Sequence, residues 1–176
     1  MRLLLGYAFE EQACPRLVAF EPLELAHRKF GVIEPALFFD REGYLHMFCR
    51  DRANKIGEVG YIWETVSCDQ GLHWSEFKQT PFPNPDSAFD IVELGDGKIV
   101  LIYNHSHTLR FPLHLAISSD GGEHWSQPLV LDSIGEFPAG IFASDRCIHV
   151  TYAVTCPLSL QRRIKHVVID PVSLFH

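Results

Sequence analysis

The chain has 176 residues, of which 47% are hydrophobic and 21% charged, a composition typical of a globular protein and not of a disordered one. Its formal net charge of −7 argues against nucleic acid as a partner, because phosphate binding requires a basic surface. The apolar run at residues 3–5 is shorter than the roughly 7–15 residues of a secretory signal. We therefore expect a cytoplasmic protein with no membrane partner, whose ligand is small and neutral or anionic.

Cysteine usage points the same way. The five cysteines are odd in number and lack C-x-x-C pairing, so they predict reduced, buried thiols in a reducing compartment. They are Cys14, Cys49, Cys68, Cys147 and Cys156. No residue pattern calls for a cofactor.

In chain order, residues 1–32 carry the weakest pattern and are predicted to be the outer strand or strands of a unit that lacks its inner part. From residue 33 the pattern becomes regular, because the segments 35–50, 89–104 and 138–153 align with one another. Each is an apolar strand, a turn and a second strand of alternating polarity, which is the signature of a β-hairpin. No segment of helical periodicity is sustained, so we predict an all-β protein.

Further strands are expected after each hairpin. A third strand is predicted near residues 57–66, 112–117 and 163–169, and a fourth near residue 77 and at 128–131. These give three successive units of about four strands each, with boundaries at 33–82, 83–133 and 134–176.

One nine-residue phrase occurs twice, at 67–75 and 118–126, and its second copy begins 51 residues after the first. Asp and Ser side chains can bond nearby backbone N–H groups and Gly allows positive φ, so the phrase predicts a turn between two outer strands. The Trp that follows supplies a large apolar side chain to bury. The residues in question are Ser67, Asp69, Gly71 and Trp74, then Ser118, Asp120, Gly122 and Trp125.

This phrase resembles the Asp-box, or bacterial neuraminidase repeat, S-x-D-x-G-x-x-W, and its spacing suits a propeller blade of about 40–50 residues. From about residue 33 to 170 the chain is similar to the C-terminal half of the sialidase-like six-bladed β-propellers. The resemblance implies three blades, half of a six-bladed ring, with Asp-boxes that mark the fold and do no chemistry. Propellers have 4–8 blades, so three cannot close a ring.

The resemblance also implies site residues. Glu34 resembles the glutamate that activates the nucleophile in this family, and Arg50 and Arg110 resemble two of the arginines that grip a substrate carboxylate, which a planar guanidinium suits. The nucleophile position is occupied by Phe137, which has no hydroxyl. The family's first arginine and its aspartate acid/base belong to blades outside this sequence, so this polypeptide alone is not expected to perform the sialidase reaction.

Alternatives remain open for the site. Glu136 could pair with Glu34, since glycoside hydrolysis uses two carboxylates. Asn104 aligns with Arg50 and is predicted to line the same funnel. Asp90 is a further candidate ligand contact, and Arg110 could brace Asp90 instead of contacting a ligand.

Histidines are also numerous in this region of the sequence. His105, His107 and His114 lack ligand spacing with Cys or carboxylate residues, so no metal site is expected.

Two functions compete at this stage. The chain could be a sialidase-like glycoside hydrolase, or the C-terminal part of one, that acts on terminal sugars of glycans. It could instead be a non-catalytic carbohydrate- or protein-binding half-propeller. In either case a homodimer or a missing N-terminal half would complete the ring, because unpaired sheet edges favour association.

Overall fold

A computed structural model describes residues 4–8, 16–19, 31–51, 59–155 and 160–175 of the chain. The described part is built from antiparallel strands and one short helix, which confirms the all-β prediction. The strands are β1 Leu4–Ala8, β2 Arg16–Ala19, β3 Val32–Phe39, β4 Leu45–Asp51, β5 Tyr61–Ser67, β6 Lys78–Pro83, β7 Asp90–Gly95, β8 Lys98–Tyr103, β9 Leu113–Ser118, β10 Leu129–Asp132, β11 Gly135–Phe142, β12 Ile148–Thr155 and β13 Arg162–Ile169. Across these ranges, no helix has the length and apolar character needed to cross a membrane.

The strands form three blade-like sheets in chain order. The first sheet has the order β3-β4-β5-β6, the second β7-β8-β9-β10 and the third β11-β12-β13, while β1 and β2 pair with each other. The third sheet thus has three strands in the described part of the chain, where the sequence led us to expect about four. After β13 the chain enters a 3-10 helix, Pro171–Leu174, whose start is capped by the side chain of Asp170.

The predicted hairpins form at equivalent places in the three sheets. The turn residues Gly43, Gly97 and Arg146 have φ values of 83°, 72° and 64°, so one left-handed position recurs in each turn. Glycine fills it twice because a side chain disfavours this conformation. The local turn chemistry therefore sets the register of each inner strand pair.

Two apolar seams join the sheets. The seam between the first and second sheets contains Phe38, Phe48, Ile62, Phe82, Phe89, Ile99, Leu101, Tyr103 and Ala116. The seam between the second and third contains Val92, Val100, Ile102, Leu113, Leu115, Ile148, Val150 and Tyr152. Packing is tight at the second seam, where a Cβ on Gly140 would lie 2.8 Å from both Ile102 Cδ1 and Val92 Cγ2. Burial of side chains of this size contributes roughly 1.5–3 kcal/mol each.

The two Asp-boxes connect β5 to β6 and β9 to β10. In the first, Asp69 accepts a hydrogen bond from the His73 backbone N at 2.8 Å, and Ser67 Oγ accepts one from Gly71 N at 2.8 Å. The second box repeats both bonds, at 3.0 Å to Asp120 and 2.9 Å to Ser118 Oγ. The backbone hydrogen bond from His73 is the main reason that the pKa of Asp69 falls to about 2.

The second box also contacts the first sheet. Arg41, in the β3–β4 turn, donates to the Ser119 carbonyl at 2.6 Å. A Cβ on Gly121 would lie 2.9 Å from the Arg41 backbone N, so the box backbone and the turn are in close contact. Trp125 packs against Phe82 in the seam, with ring centroids 5.3 Å apart. This box therefore lies across the junction of two sheets.

The prediction of buried thiols is correct for only one of the three described cysteines. Cys49 is buried, and burial raises its pKa to about 12. Cys68 is exposed because it is the second residue of an Asp-box, and Cys147 is partly exposed beside a turn. Cys14 and Cys156 lie outside the described residues.

Candidate functional site

One rim of the stacked sheets carries most of the predicted site residues. Glu34 lies at the start of β3, Arg50 at the end of β4, Arg110 in the β8–β9 loop and Phe137 at the start of β11. Asp86, just before β7, lies between them and contacts both arginines. The three sheets thus each contribute to one constellation, which we call the rim site: Glu34, Arg50, Asp86, Arg110 and Phe137.

Arg50 is the buried centre of the rim site. Its guanidinium donates to Glu34 Oε1 at 2.7 Å and to the main-chain oxygen of Asp86, and it lies 3.3 Å from the Asp86 carboxylate. The residue is only 9% exposed, whereas the Glu34 side chain is 45% exposed. Arg50 Nε is buried without a hydrogen-bond partner among the described residues. Arg50 therefore fixes the rim, while Glu34 presents a carboxylate to solvent.

Arg110 is the more accessible arginine. It donates to the Asp86 main-chain oxygen at 2.7 Å, and its guanidinium carbon lies 5.1 Å from the centre of the Phe137 ring. A cation held over an aromatic face is stabilised by the ring quadrupole. The Phe137 ring, 36% exposed, thus orients Arg110 at the surface.

Three rim residues have left-handed backbones. Glu34 and Phe137 both have a φ of 53° and Asp86 has 56°. Glu34 and Phe137 each precede a proline, Pro35 or Pro138, where the strand pairing shifts register. Such conformations cost of order 1–3 kcal/mol in residues other than glycine and cluster at functional sites. Bulges next to sites commonly serve to redirect side chains.

The side chains of Asn104 and Asp90 form hydrogen bonds with backbone groups. Asn104 is fully buried; its amide nitrogen donates to the carbonyls of Pro112 and Gly135 at 3.0 and 2.9 Å, and its oxygen accepts from Ser87 Oγ at 2.9 Å. Asp90 accepts from Gly140 N at 2.8 Å, which ties the second sheet to the third, and no contact to Arg110 is formed. Asn104 and Asp90 hold together the elements that carry the rim site.

Glu136 has a different partner from Glu34. Its carboxylate lies 3.9 Å from Arg162 and its side chain is 14% exposed. Glu34 is paired with Arg50, and no contact between Glu34 and Glu136 is found in the described ranges. The two carboxylates are thus engaged by separate arginines.

The neighbouring histidines contact backbone groups and one another. Tyr103 Oη lies 2.6 Å from His105 Nδ1, and His107 Nδ1 lies 3.2 Å from the Gly60 carbonyl. Burial is the main cause that lowers the pKa of His105, helped by His114 and His107. His114 Nδ1 lies 3.0 Å from the Pro112 carbonyl and 3.3 Å from the His105 backbone N, so it donates to the carbonyl in one tautomer and accepts from His105 in the other.

A main-chain atom is the feature that sequence reasoning missed. The Asp86 carbonyl accepts from both Arg50 and Arg110, yet a carbonyl has no signature of its own in a sequence. The available signal was the turn-forming run 84–87, in which Asn84 and Ser87 bond each other and fix the loop.

Comparison with known proteins places the chain in a family. The profile of the BNR repeat-like domain matches residues 15–150. The chain belongs to the BNR repeat-like family. No curated protein sequence matches it.

Solved structures share the fold of this chain at low sequence identity. A protein of unknown function from Dyadobacter fermentans has a TM-score of 0.63 and 15% identity, over 82% of this chain and 40% of that one. The NanB sialidase of Streptococcus pneumoniae, as a variant, has a TM-score of 0.64 and 14% identity, over 90% and 25%. A Hadza microbial sialidase has a TM-score of 0.53 and 19% identity, over 76% and 34%. This BNR repeat-like chain thus has a sialidase-like fold and spans less than half the length of these relatives.

Proposed function

We propose that this chain forms part of a carbohydrate-binding cleft of a sialidase-like β-propeller, and that the rim site binds an anionic terminal sugar. The observation that carries the proposal is the convergence of Arg50 and Arg110 on the Asp86 main-chain oxygen. Family membership and the sialidase-like fold support a glycan ligand.

Charge at the rim favours an anionic group on that sugar. The positive charge of Arg50 is balanced by Glu34 at 2.7 Å. Arg110 bonds a neutral carbonyl and a neutral ring, so its own charge has no carboxylate partner among the described residues. A guanidinium presents several donors in a plane and can bind a carboxylate through two parallel hydrogen bonds. Glu34, whose carboxylate is partly exposed beside Arg50, can accept hydrogen bonds from sugar hydroxyls.

Binding to the purified chain tests the proposal directly. Saturation-transfer NMR with N-acetylneuraminic acid, glucuronic acid and methyl β-galactoside should show saturation transfer to the two acids. Arg110→Gln should lower the affinity for both acids at least tenfold. The matched control is Arg146→Gln, in the β11–β12 turn at the opposite end of β11 from Phe137. Equal affinities of the Arg110→Gln and Arg146→Gln variants for the two acids would refute the site.

Hydrolysis is the second candidate function, and the exposed carboxylate of Glu34 beside Arg50 is the observation that favours it. Phe137 cannot serve as a hydroxyl nucleophile, so a reaction would need Glu34 and a second group. A panel of aryl glycosides, including a sialoside, is the appropriate assay. Turnover that disappears in Glu34→Gln while ligand binding persists would support an enzyme, and no turnover by the parent chain would leave the binding function alone.

A further inference from the structure

One face of the third sheet is not covered by any described residue. We call it the outward face, and it comprises Ile141, His149, Thr151, Ile164, His166 and Val168. Strand register places these side chains together: Ile141 lies opposite His149, which lies opposite Val168, and Thr151 lies opposite His166. Residues directly opposite in an antiparallel pair point to the same side of the sheet.

Half of the residues of the outward face are apolar, and these three are exposed. Ile141, Ile164 and Val168 are 63%, 76% and 53% exposed. On the other face of the same strands, Val150 and Tyr152 are 0% and 1% exposed, packed against the second sheet. Exposed apolar side chains grouped on one face of a sheet often mark an interaction surface.

The repeat within the chain shows what usually covers this face. Phe38 in the first sheet and Val92 in the second occupy the place of Ile141, each opposite the residue aligned with His149. They are 1% and 4% exposed because the next sheet packs on them. In the first and second sheets, this face packs against the next sheet. In the third sheet the equivalent face is exposed.

A second set of equivalent residues repeats the pattern. Ile164 aligns with Ile62 and Leu113, both of which are 0% exposed. All three lie on the third strand of their sheets. Only the member on the third sheet is left in solvent.

The polar contacts of the third sheet also resemble those of the first sheet. In the first sheet His46 lies 3.1 Å from Asp40 and 2.7 Å from Glu64, and its ring stacks on Phe38 in the seam. In the third sheet the aligned His149 bridges an aspartate and a neighbouring side chain in the same way. It lies 2.9 Å from Asp145 and 3.0 Å from His166, at a groove of about 610 Å³. The outward face thus carries the internal polar arrangement of a seam as well as its apolar one.

We propose that the outward face of the third sheet docks a second copy of this chain, whose own β-sheet stacks on it as the third sheet stacks on the second. The charged groups beside these six residues have partners within the chain: Arg162 lies 3.9 Å from Glu136, Asp145 contacts His149 at 2.9 Å and Asp90 accepts from Gly140 N. Two copies that each carry a formal charge of −7 can therefore meet there without burying an unpartnered charge. Two-fold homodimers are the commonest protein oligomers. The inference does not depend on glycan binding.

Light scattering coupled to size exclusion tests this proposal over a range of concentrations. The chain should elute with twice its 20.0 kDa mass, and Ile141→Lys or Ile164→Lys should shift it to the mass of one copy. The control is Leu72→Lys, which alters a residue in the first Asp-box that is equally exposed, at 59%, and should leave the dimer intact. Circular dichroism verifies that each variant folds. Ile164→Thr, which keeps the β-branched shape, should weaken the dimer at least tenfold without affecting the fold.

A parent chain that is monomeric at every concentration would overturn the proposal. A dimer that persists in both lysine variants would do so as well, because the interface would then lie elsewhere. Arg110→Gln should remain dimeric, so loss of sugar binding and loss of dimerisation are separable results.

Discussion

Arg50 and Arg110, from two different sheets, donate to one main-chain oxygen, that of Asp86, and the Arg110 bond is 2.7 Å long. Two cations share this acceptor. Among the described residues Arg50 has carboxylate partners in Glu34 and Asp86, at 2.7 and 3.3 Å, and Arg110 has none. The two arginines should consequently differ in what they contribute to the protein. Arg50 supports the structure of the rim, and Arg110 remains available to a ligand.

Substitution of each arginine by glutamine should separate these roles. Arg50→Gln removes the guanidinium partner of the Glu34 and Asp86 carboxylates. It should lower the free energy of unfolding by about 1–3 kcal/mol, a value reduced for the exposure of Glu34. Arg110→Gln should change it by no more than about 0.5 kcal/mol. Urea titration measures both. Equal losses would show that Arg110 is structural too.

Asn104→Ala should destabilise the protein markedly. The substitution leaves Ser87 Oγ and the carbonyls of Pro112 and Gly135 without the buried partner that they now share. The expected loss is about 2–3 kcal/mol in urea unfolding. Gln79→Ala, at an exposed position on β6, is the control and should be neutral. A stable Asn104→Ala variant with weakened sugar binding would instead support a ligand contact.

The two box tryptophans should differ in importance. Trp125 packs against Phe38, Phe48 and Phe82, with centroid distances of 6.4, 6.2 and 5.3 Å. Trp125→Ala should therefore cost about 3–5 kcal/mol, as is usual for a large aromatic side chain in a core. Trp74→Ala serves as the matched variant and should cost clearly less, since Trp74 does not join that cluster. Thermal melting compares the two, and equal costs would contradict this ranking.

His46 should make stability depend on pH. Burial alone lowers the pKa of His46, but its hydrogen bonds to Glu64 and Asp40 outweigh that effect and the net direction is upward from 6.5. A raised pKa means that the charged form is stabilised by folding. This contribution is complete below pH 6.5 and is lost as the pH rises through the folded-state pKa.

The comparison of the parent chain with His46→Gln measures this effect. The difference in unfolding free energy should be about 1 kcal/mol near pH 5.5 and should shrink toward pH 9. Both measurements are made by urea titration in the same buffers. A difference that is constant with pH, or that grows on the alkaline side, would disprove the assignment.

The hairpins and boxes could be predicted because their chemistry is local. Gly43 and Gly97 mark turns by their own conformational freedom, and Ser67 and Asp69 bond to backbone groups within four residues of themselves. A sequence displays such signals directly, so the fold class and the strand order follow from it.

The details of the rim site could not be predicted in the same way. Asn104 aligns with Arg50, but it is buried because the carbonyl of Gly135, 31 residues away, comes within 2.9 Å of its amide. The shared acceptor is a backbone oxygen of Asp86, whose position depends on how three sheets meet. Contacts of this range depend on tertiary packing, which the spacing of residues does not encode.

The junction of the second Asp-box with the β3–β4 turn bears on how the chain unfolds. Gly121 approaches the Arg41 backbone so closely that no side chain fits between them, and Ser119 is bound by the Arg41 guanidinium. Neither of the first two sheets can open without exposing the other. Repeat arrays in which each unit contacts only its neighbours can lose their ends piecemeal. In this chain the first and second sheets should instead exchange their amide hydrogens as one cooperative unit.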